Sequence, residues 1–262
     1  TPQDQLDTLV ALDRLRGDRG WSELRDGAPV PTAQATAWAA LAYASMSELT
    51  QAETARVRVR VARDALLRSQ TDDGGFPLLA DGPTHPESTV LATWALVMAE
   101  PQDPTAAATV RAATRRALVR VRALLDAPPA DGWTPRHEAL AVLSLARARA
   151  ALRLADASDD ARFARFARGL VTRCALPPTG NARCAASPDA PAPRPAWWPW
   201  SMTTAAVLLR GESLSLDPAT RQSLGAMVRA ELAALDGDLA AWQALPTPEL
   251  AEALLALSEM TL

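Results

Sequence analysis

The chain has no lysine and no isoleucine, and it carries only two histidines, two cysteines, one tyrosine and three phenylalanines in 262 residues. With His85 in PTHPES and His137 in TPRHEA as the only imidazoles, multi-histidine metal sites and Ser-His-Asp triads have almost no material. Cys174 and Cys184 form no CxxC pair and have no histidine at ligand spacing, which argues against structural zinc. They are ten residues apart across a proline-rich stretch and could bridge, but a reducing compartment favours free thiols. Basic excess is also missing. The 27 arginines are outnumbered by 30 acidic residues, for a net charge of -3, so nucleic acid is not an expected partner. The longest largely apolar run, Ala35 to Ala44, is too short to span a bilayer, and no basic segment followed by a hydrophobic stretch opens the chain. A soluble, cytoplasmic protein is expected.

What is present is apolar and helix-forming. Hydrophobic residues make up 48% of the chain against 22% charged, too apolar for disorder. About a fifth of the residues are alanine and all basic residues are arginine, a bias we attribute to a GC-rich, bacterial coding sequence. Ala, Leu and Arg are strong helix formers, so the same bias predicts an all-α fold without any sheet of three or more strands. The chain opens on Thr1, within a few residues of a helical pattern, and reads as an excised or processed piece of a longer chain.

An internal repeat organises residues 1–262 as one domain. In the first unit a helix over Leu6 to Arg16 precedes Gly20 and Trp21, and an apolar helix follows Pro29. The second pairs Ala52 to Ser69 with Glu87 to Ala99 across QTDDGGF, and the third pairs Thr105 to Leu125 with Arg136 to Leu152 across Asp131, Gly132 and Trp133. A fourth has a helix over Asp159 to Cys174, a proline-rich loop over 177–199 ending in WWPW, and a short helix near Ser201. The last joins Asp217 to Leu235 and Thr247 to Met260 across Asp236, Gly237 and Trp242. Five helical hairpins result, with Trp21, Phe76, Trp133, Trp200 and Trp242 recurring at the junctions. Matching Thr36, Ala37 and Trp38 to Ala92, Thr93 and Trp94 predicts equivalent inner positions for Trp38 and Trp94. Arg56 to Val61 alternates like a strand, but Ala55, Val59, Ala62 and Leu66 share one helical face, so a helix is expected there, with Arg56, Arg60, Arg111 and Arg115 outward.

Arg63 to Phe76, RDALLRSQTDDGGF, resembles the QW motif of squalene and oxidosqualene cyclases at Arg63, Leu66, Gln70 and Gly74. Asp64 replaces the usual glycine and Phe76 the tryptophan. The helix, Gly-rich turn, helix hairpin is similar to those of protein prenyltransferase β subunits and thioester domains. The resemblance therefore implies an α/α toroid, or partial toroid, of the terpenoid cyclase and prenyltransferase superfamily. In physical terms, the glutamine would bond the open amides of the next helix, and the aromatic would seal the junction.

The chemistry the resemblance implies is largely missing. No DxDD exists. Asp156 to Asp160 reads DASDD at a repeat junction, where a helix N-cap is the plainer reading. Asp72 and Asp73 open DDGGF, which lacks the distal aspartate of a DDxxD metal motif. The Asp-x-Cys zinc pair and the CGEQ thioester signature are absent. Asp72, Asp73, Glu87 and Glu138 remain as the catalytic candidates. His85, Glu87, His137 and Glu138 all fall near starts of second helices, as plain helix-capping and surface residues or as the polar rim of a pocket floored by Trp38 and Trp94. Trp197, Trp198 and Trp200 would plug an open side or bind a prenyl chain, a proline-rich peptide or a cation. Two functions follow. One is a non-catalytic module binding a protein or apolar ligand without a cofactor. The other is a cyclase-like or prenyltransferase-like enzyme acting on an isoprenoid, for which magnesium would be expected.

Overall fold

The computed structural model describes residues 10–46, 52–100, 104–175, 183–184, 198–210 and 216–236. The expected helix over Thr247 to Met260, Trp197, Trp242 and most of the 177–199 segment lie outside them. The chain divides into two compact units, Thr1–Ala127 with Arg147–Leu154 and Pro128–Ala146 with Ala155–Leu262.

In the first unit the described end of a helix, α1 (10–14), leads into β1 (Arg16–Gly17), β2 (Gly20–Arg25) and β3 (Ala28–Pro31), followed by helices α2 (Ala33–Met46), α3 (Ala52–Ser69), α4 (Pro86–Ala99) and α5 (Ala107–Asp126). The strands form an antiparallel sheet in the order β1-β2-β3, which corrects the expectation that no three-stranded sheet occurs. Its cause is local. Asp26 and Gly27 both have positive φ, 51° and 79°, so Arg25 and Ala28 close a two-residue turn whose twist suits paired strands. The alternation in Arg56 to Val61 is overruled, as expected, by the helical face of α3, on which Ala55, Val59, Ala62 and Leu66 are buried. Arg56, Arg111 and Arg115 are exposed and Arg60 is half-exposed, whereas Arg63 is buried beside Asp64.

Helix α4 is buried on nearly every face from Ser88 to Val97, while α5 buries one stripe, Val110, Ala113, Ala117, Leu118, Val121 and Leu125. Those two patterns mark an inside helix and a half-solvated one. Helix α2 packs on α3 and α4, and α4 on α5. Between the pairs, Tyr43 is fully buried against Trp21, with ring centroids 5.7 Å apart, and its hydroxyl donates to Asp13 Oδ1 at 2.9 Å. Burial and that carboxylate push the phenol well above its ordinary pKa, so it remains a donor. Arg58 satisfies the other oxygen of Asp13 at 2.6 Å.

The second unit contains the first part of α6 (Pro135–Leu152), then α7 (Ala157–Arg173), β4 (Cys174–Ala175), β5 (Arg183–Cys184), α8 (Trp198–Arg210) and α9 (Pro218–Asp236). Of the DASDD aspartates, Asp156 caps a helix, α7. Asp156 Oδ1 accepts from the Ser158 amide at 2.9 Å, and Asp159, fully buried, pairs with Arg162 at 2.9 Å. Asp217 caps α9 through the Thr220 amide at 2.8 Å, and that bond together with the Thr220 hydroxyl lowers its pKa. Helix α8 begins at Trp198, three residues before the expected start near Ser201, and buries Trp200 completely. Thr204 of α8 reaches the Ala139 carbonyl of α6 at 2.9 Å and its own Trp200 carbonyl at 2.8 Å.

Candidate functional site

Of the residues nominated by sequence, Asp72 and Asp73 lie in the turn before α4 and His85 and Glu87 at its amino-terminal end, while His137 and Glu138 lie in the first turn of α6 in the second unit. In α4, His85 is the N-cap, and its Nδ1 accepts from the Ser88 amide at 3.3 Å. In α6, Thr134 precedes the first helical residue, and its carbonyl accepts from the Glu138 amide at 3.1 Å. There His137 reaches back so that its Nδ1 accepts from the Thr134 amide at 3.1 Å. His85 and His137 thus fill opposite halves of a capping box, the N-cap in one helix and the third helical position in the other. Both are half-buried, and the His137 ring stacks on Trp133 with centroids 5.5 Å apart. Accepting at Nδ1 leaves Nε2 to carry the proton of each neutral ring.

A second repeated device fixes the register of the first two hairpins. Thr36 accepts from the Trp21 amide at 3.0 Å and donates to the Thr32 carbonyl at 2.8 Å. Thr89 accepts from the Phe76 amide at 3.0 Å and donates to the His85 carbonyl at 2.9 Å. Thr32 caps α2 through the Ala35 amide at 3.0 Å, as His85 caps α4. Thr36 therefore matches Thr89, and Trp38 matches Leu91 in place of Trp94, a shift of three residues from the expected alignment. Trp38 is half-buried while Trp94 is 1% exposed, so the two indoles do not hold equivalent places.

The QTDDGGF turn is built to sit close to α5. Gly74, at φ 84°, has the Arg116 carbonyl oxygen 2.6 Å from where a Cβ would lie. Gln70 Nε2 donates to the Gly74 carbonyl at 3.0 Å and to the Ala113 carbonyl of α5 at 2.9 Å, and its Oε1 accepts from Arg116. This corrects the expected role of Gln70, which bonds carbonyls and an arginine of α5 and not the amides of a following helix. Gln70→Ala is expected to destabilise the protein by about 1 kcal/mol, the scale of partly exposed hydrogen bonds, as read by urea unfolding. An unchanged midpoint would show that these bonds form only at the expense of equal hydration.

Asp73 closes the turn. Its carboxylate accepts from the Thr71 hydroxyl at 2.6 Å, the Gly75 amide at 3.0 Å and the Thr84 hydroxyl at 3.0 Å, with Arg120 at 3.1 Å. The Thr71 bond first, then the Gly75 amide, hold it below the ordinary 3.8. Asp72 is exposed. Glu87 is half-buried, and Glu138 accepts from Arg173 at 3.2 Å. Trp94 and Trp200 are packed in the core at 1% and 0% exposure, as are Trp21 at 1% and Phe76 at 0%. Trp198 opens α8, and Trp197 lies outside the described residues.

A cleft of about 30 Å³ in the first unit is lined by Pro31, Thr32, Thr36, Ala65, Leu66 and Ser69 among others. That is room for a water or two, far below the several hundred Å³ of a substrate pocket. Among the described residues, no group of three or more His, Cys, Asp or Glu side chains could hold a metal ion. No described helix is long and apolar enough to cross a membrane. Sequence reading missed Thr36, Thr89 and Thr204. The visible signal was a threonine 15 residues after Trp21 and 13 after Phe76.

Comparison with known proteins places the fold. No family profile matches the chain and no curated protein does. Among solved structures, a crystal structure of D-mannose isomerase is similar with a TM-score of 0.60 over 89% of this chain and 71% of that one, at 13% identity. The fold is all-α, of the α/α-toroid class. The likeness supports the helical toroid that the QW-like turn implied and does not extend to the terpenoid cyclase superfamily.

Proposed function

We propose that the chain is a non-catalytic helical-repeat module that binds a protein or apolar ligand. The observation that carries this reading is the use of both histidines of the chain, through Nδ1, to close helix amino termini. A general acid or base must be free to exchange its proton with substrate, and a backbone amide at Nδ1 withdraws that nitrogen from exchange and leaves Nε2 alone to carry any such role. Asp73 is likewise occupied by its turn and Glu138 by Arg173. Within the nominated ligand set, Trp38 is the indole among those with described side chains that keeps solvent exposure, so it is the residue of choice for ligand contact.

The likeness to D-mannose isomerase favours a second reading, a toroid enzyme acting on a monosaccharide. An isoprenoid cyclase or transferase using magnesium stands behind it, supported only by the QW-like turn. Incubation with D-mannose, squalene, farnesyl diphosphate or geranylgeranyl diphosphate, with and without magnesium, is expected to yield no isomerised, cyclised or transferred product by mass spectrometry and NMR. A product that disappears with Glu87→Gln or Asp73→Asn would overturn the module. Binding without turnover, weakened by Trp38→Ala or Trp198→Ala, would support it.

A further inference from the structure

Helix α7 ends at Arg173, and the next residue, Cys174, opens a two-residue strand whose partner closes on Cys184. The antiparallel register makes Cys174 and Cys184 direct Cα partners, with Ala175 opposite Arg183. Residues facing each other across such a ladder have Cα atoms roughly 4.5–5.5 Å apart. That lies inside the roughly 4.4–6.8 Å span of disulfide-bonded residues. Diagonal neighbours, at roughly 7–8 Å, would fall outside it. The chain contains no third cysteine to compete.

We propose that Cys174 and Cys184 form an intramolecular disulfide that fastens β5 to β4 at the end of α7. Two-residue strands do not sustain a hairpin by their own hydrogen bonds, because isolated two-stranded ladders are marginal in water. A covalent bond across the only facing cysteine pair supplies what the ladder lacks. A small-molecule disulfide such as oxidised glutathione is the oxidant. One protein thiolate attacks it, forming a mixed disulfide and releasing one glutathione. The second protein thiolate then displaces the other glutathione, so two protein thiols lose two protons and two electrons and the oxidant becomes two thiols.

The test is iodoacetamide labelling under denaturing conditions after equilibration with oxidised glutathione. We expect no label before reduction by dithiothreitol and two labels after it. Trypsin cuts after Arg173 and Arg183, while Arg194 is shielded by Pro195, so the bond must join peptides 174–183 and 184–210 of one chain. Two labels without reduction, or links between separate chains only, would overturn the proposal. Reduction should also lower the thermal midpoint of the wild type and leave a Cys174→Ser, Cys184→Ser double variant unmoved. Equal shifts in both would contradict it.

Discussion

Gly74→Ala is expected to destabilise the protein by about 3 kcal/mol or more, the largest effect of any single methyl group we anticipate here. Two costs combine. At φ 84° an L side chain costs about 1–2 kcal/mol. The added Cβ would also lie 2.6 Å from the Arg116 carbonyl oxygen and 2.8 Å from its carbon, both backbone atoms that cannot rotate away. Forcing apart packed backbone typically adds about 1–3 kcal/mol. Gly27 separates the two costs, since it has a similar φ of 79° with nothing within 4 Å of a built Cβ. Gly27→Ala should therefore cost only about 1 kcal/mol, the conformational part alone. Urea unfolding of both variants checks the pair. Equal losses would mean that the turn does not press on α5, and the packing account of the QW-like segment would fail.

Replacing Thr89 by Val should cost about 2 kcal/mol, and Thr36→Val a similar amount. Valine keeps the shape but removes the oxygen that accepts from the buried Phe76 or Trp21 amide. Thr89 is 0% exposed and Thr36 2%, so water cannot replace the lost acceptor without opening the junction. An unsatisfied buried donor typically costs about 1–3 kcal/mol. Native-state hydrogen exchange gives the sharper readout, because each variant should accelerate exchange of its own partner amide most. Unchanged protection at both amides would dissolve the equivalence of Thr36 with Thr89.

Much of this was legible from residue pattern because the helices satisfy several local rules at once. Helix α3 spans Ala52–Ser69 as its apolar face predicts, and α4 begins at Pro86, one residue from its expected start. The sheet was legible too, for Asp26–Gly27 between WSELR and APVP is a strong hairpin signal. It is overlooked when the segment is weighed only as a junction in a helical repeat. The repeat register misled for a different reason. Matching TAW with ATW aligns side-chain types, whereas the fold aligns N-caps, and cap to threonine is the same four residues in both hairpins, Thr32 to Thr36 and His85 to Thr89. The histidines were legible as residues near helix starts. Their separate roles were not, because an N-cap and a third helical position differ by less than one turn, and only the backbone places the boundary.

Side-chain ¹⁵N NMR of His85 and His137 tests most directly whether the groups capable of chemistry are committed to the repeat scaffold. As neutral rings, both are expected as Nε2–H tautomers with a hydrogen-bonded, unprotonated Nδ1. Those Nδ1 signals should not move when D-mannose or farnesyl diphosphate is added. Nδ1–H tautomers, or an Nδ1 resonance that shifts with either compound, would contradict the capping account and return the histidines to the role of ligand-contacting or catalytic groups.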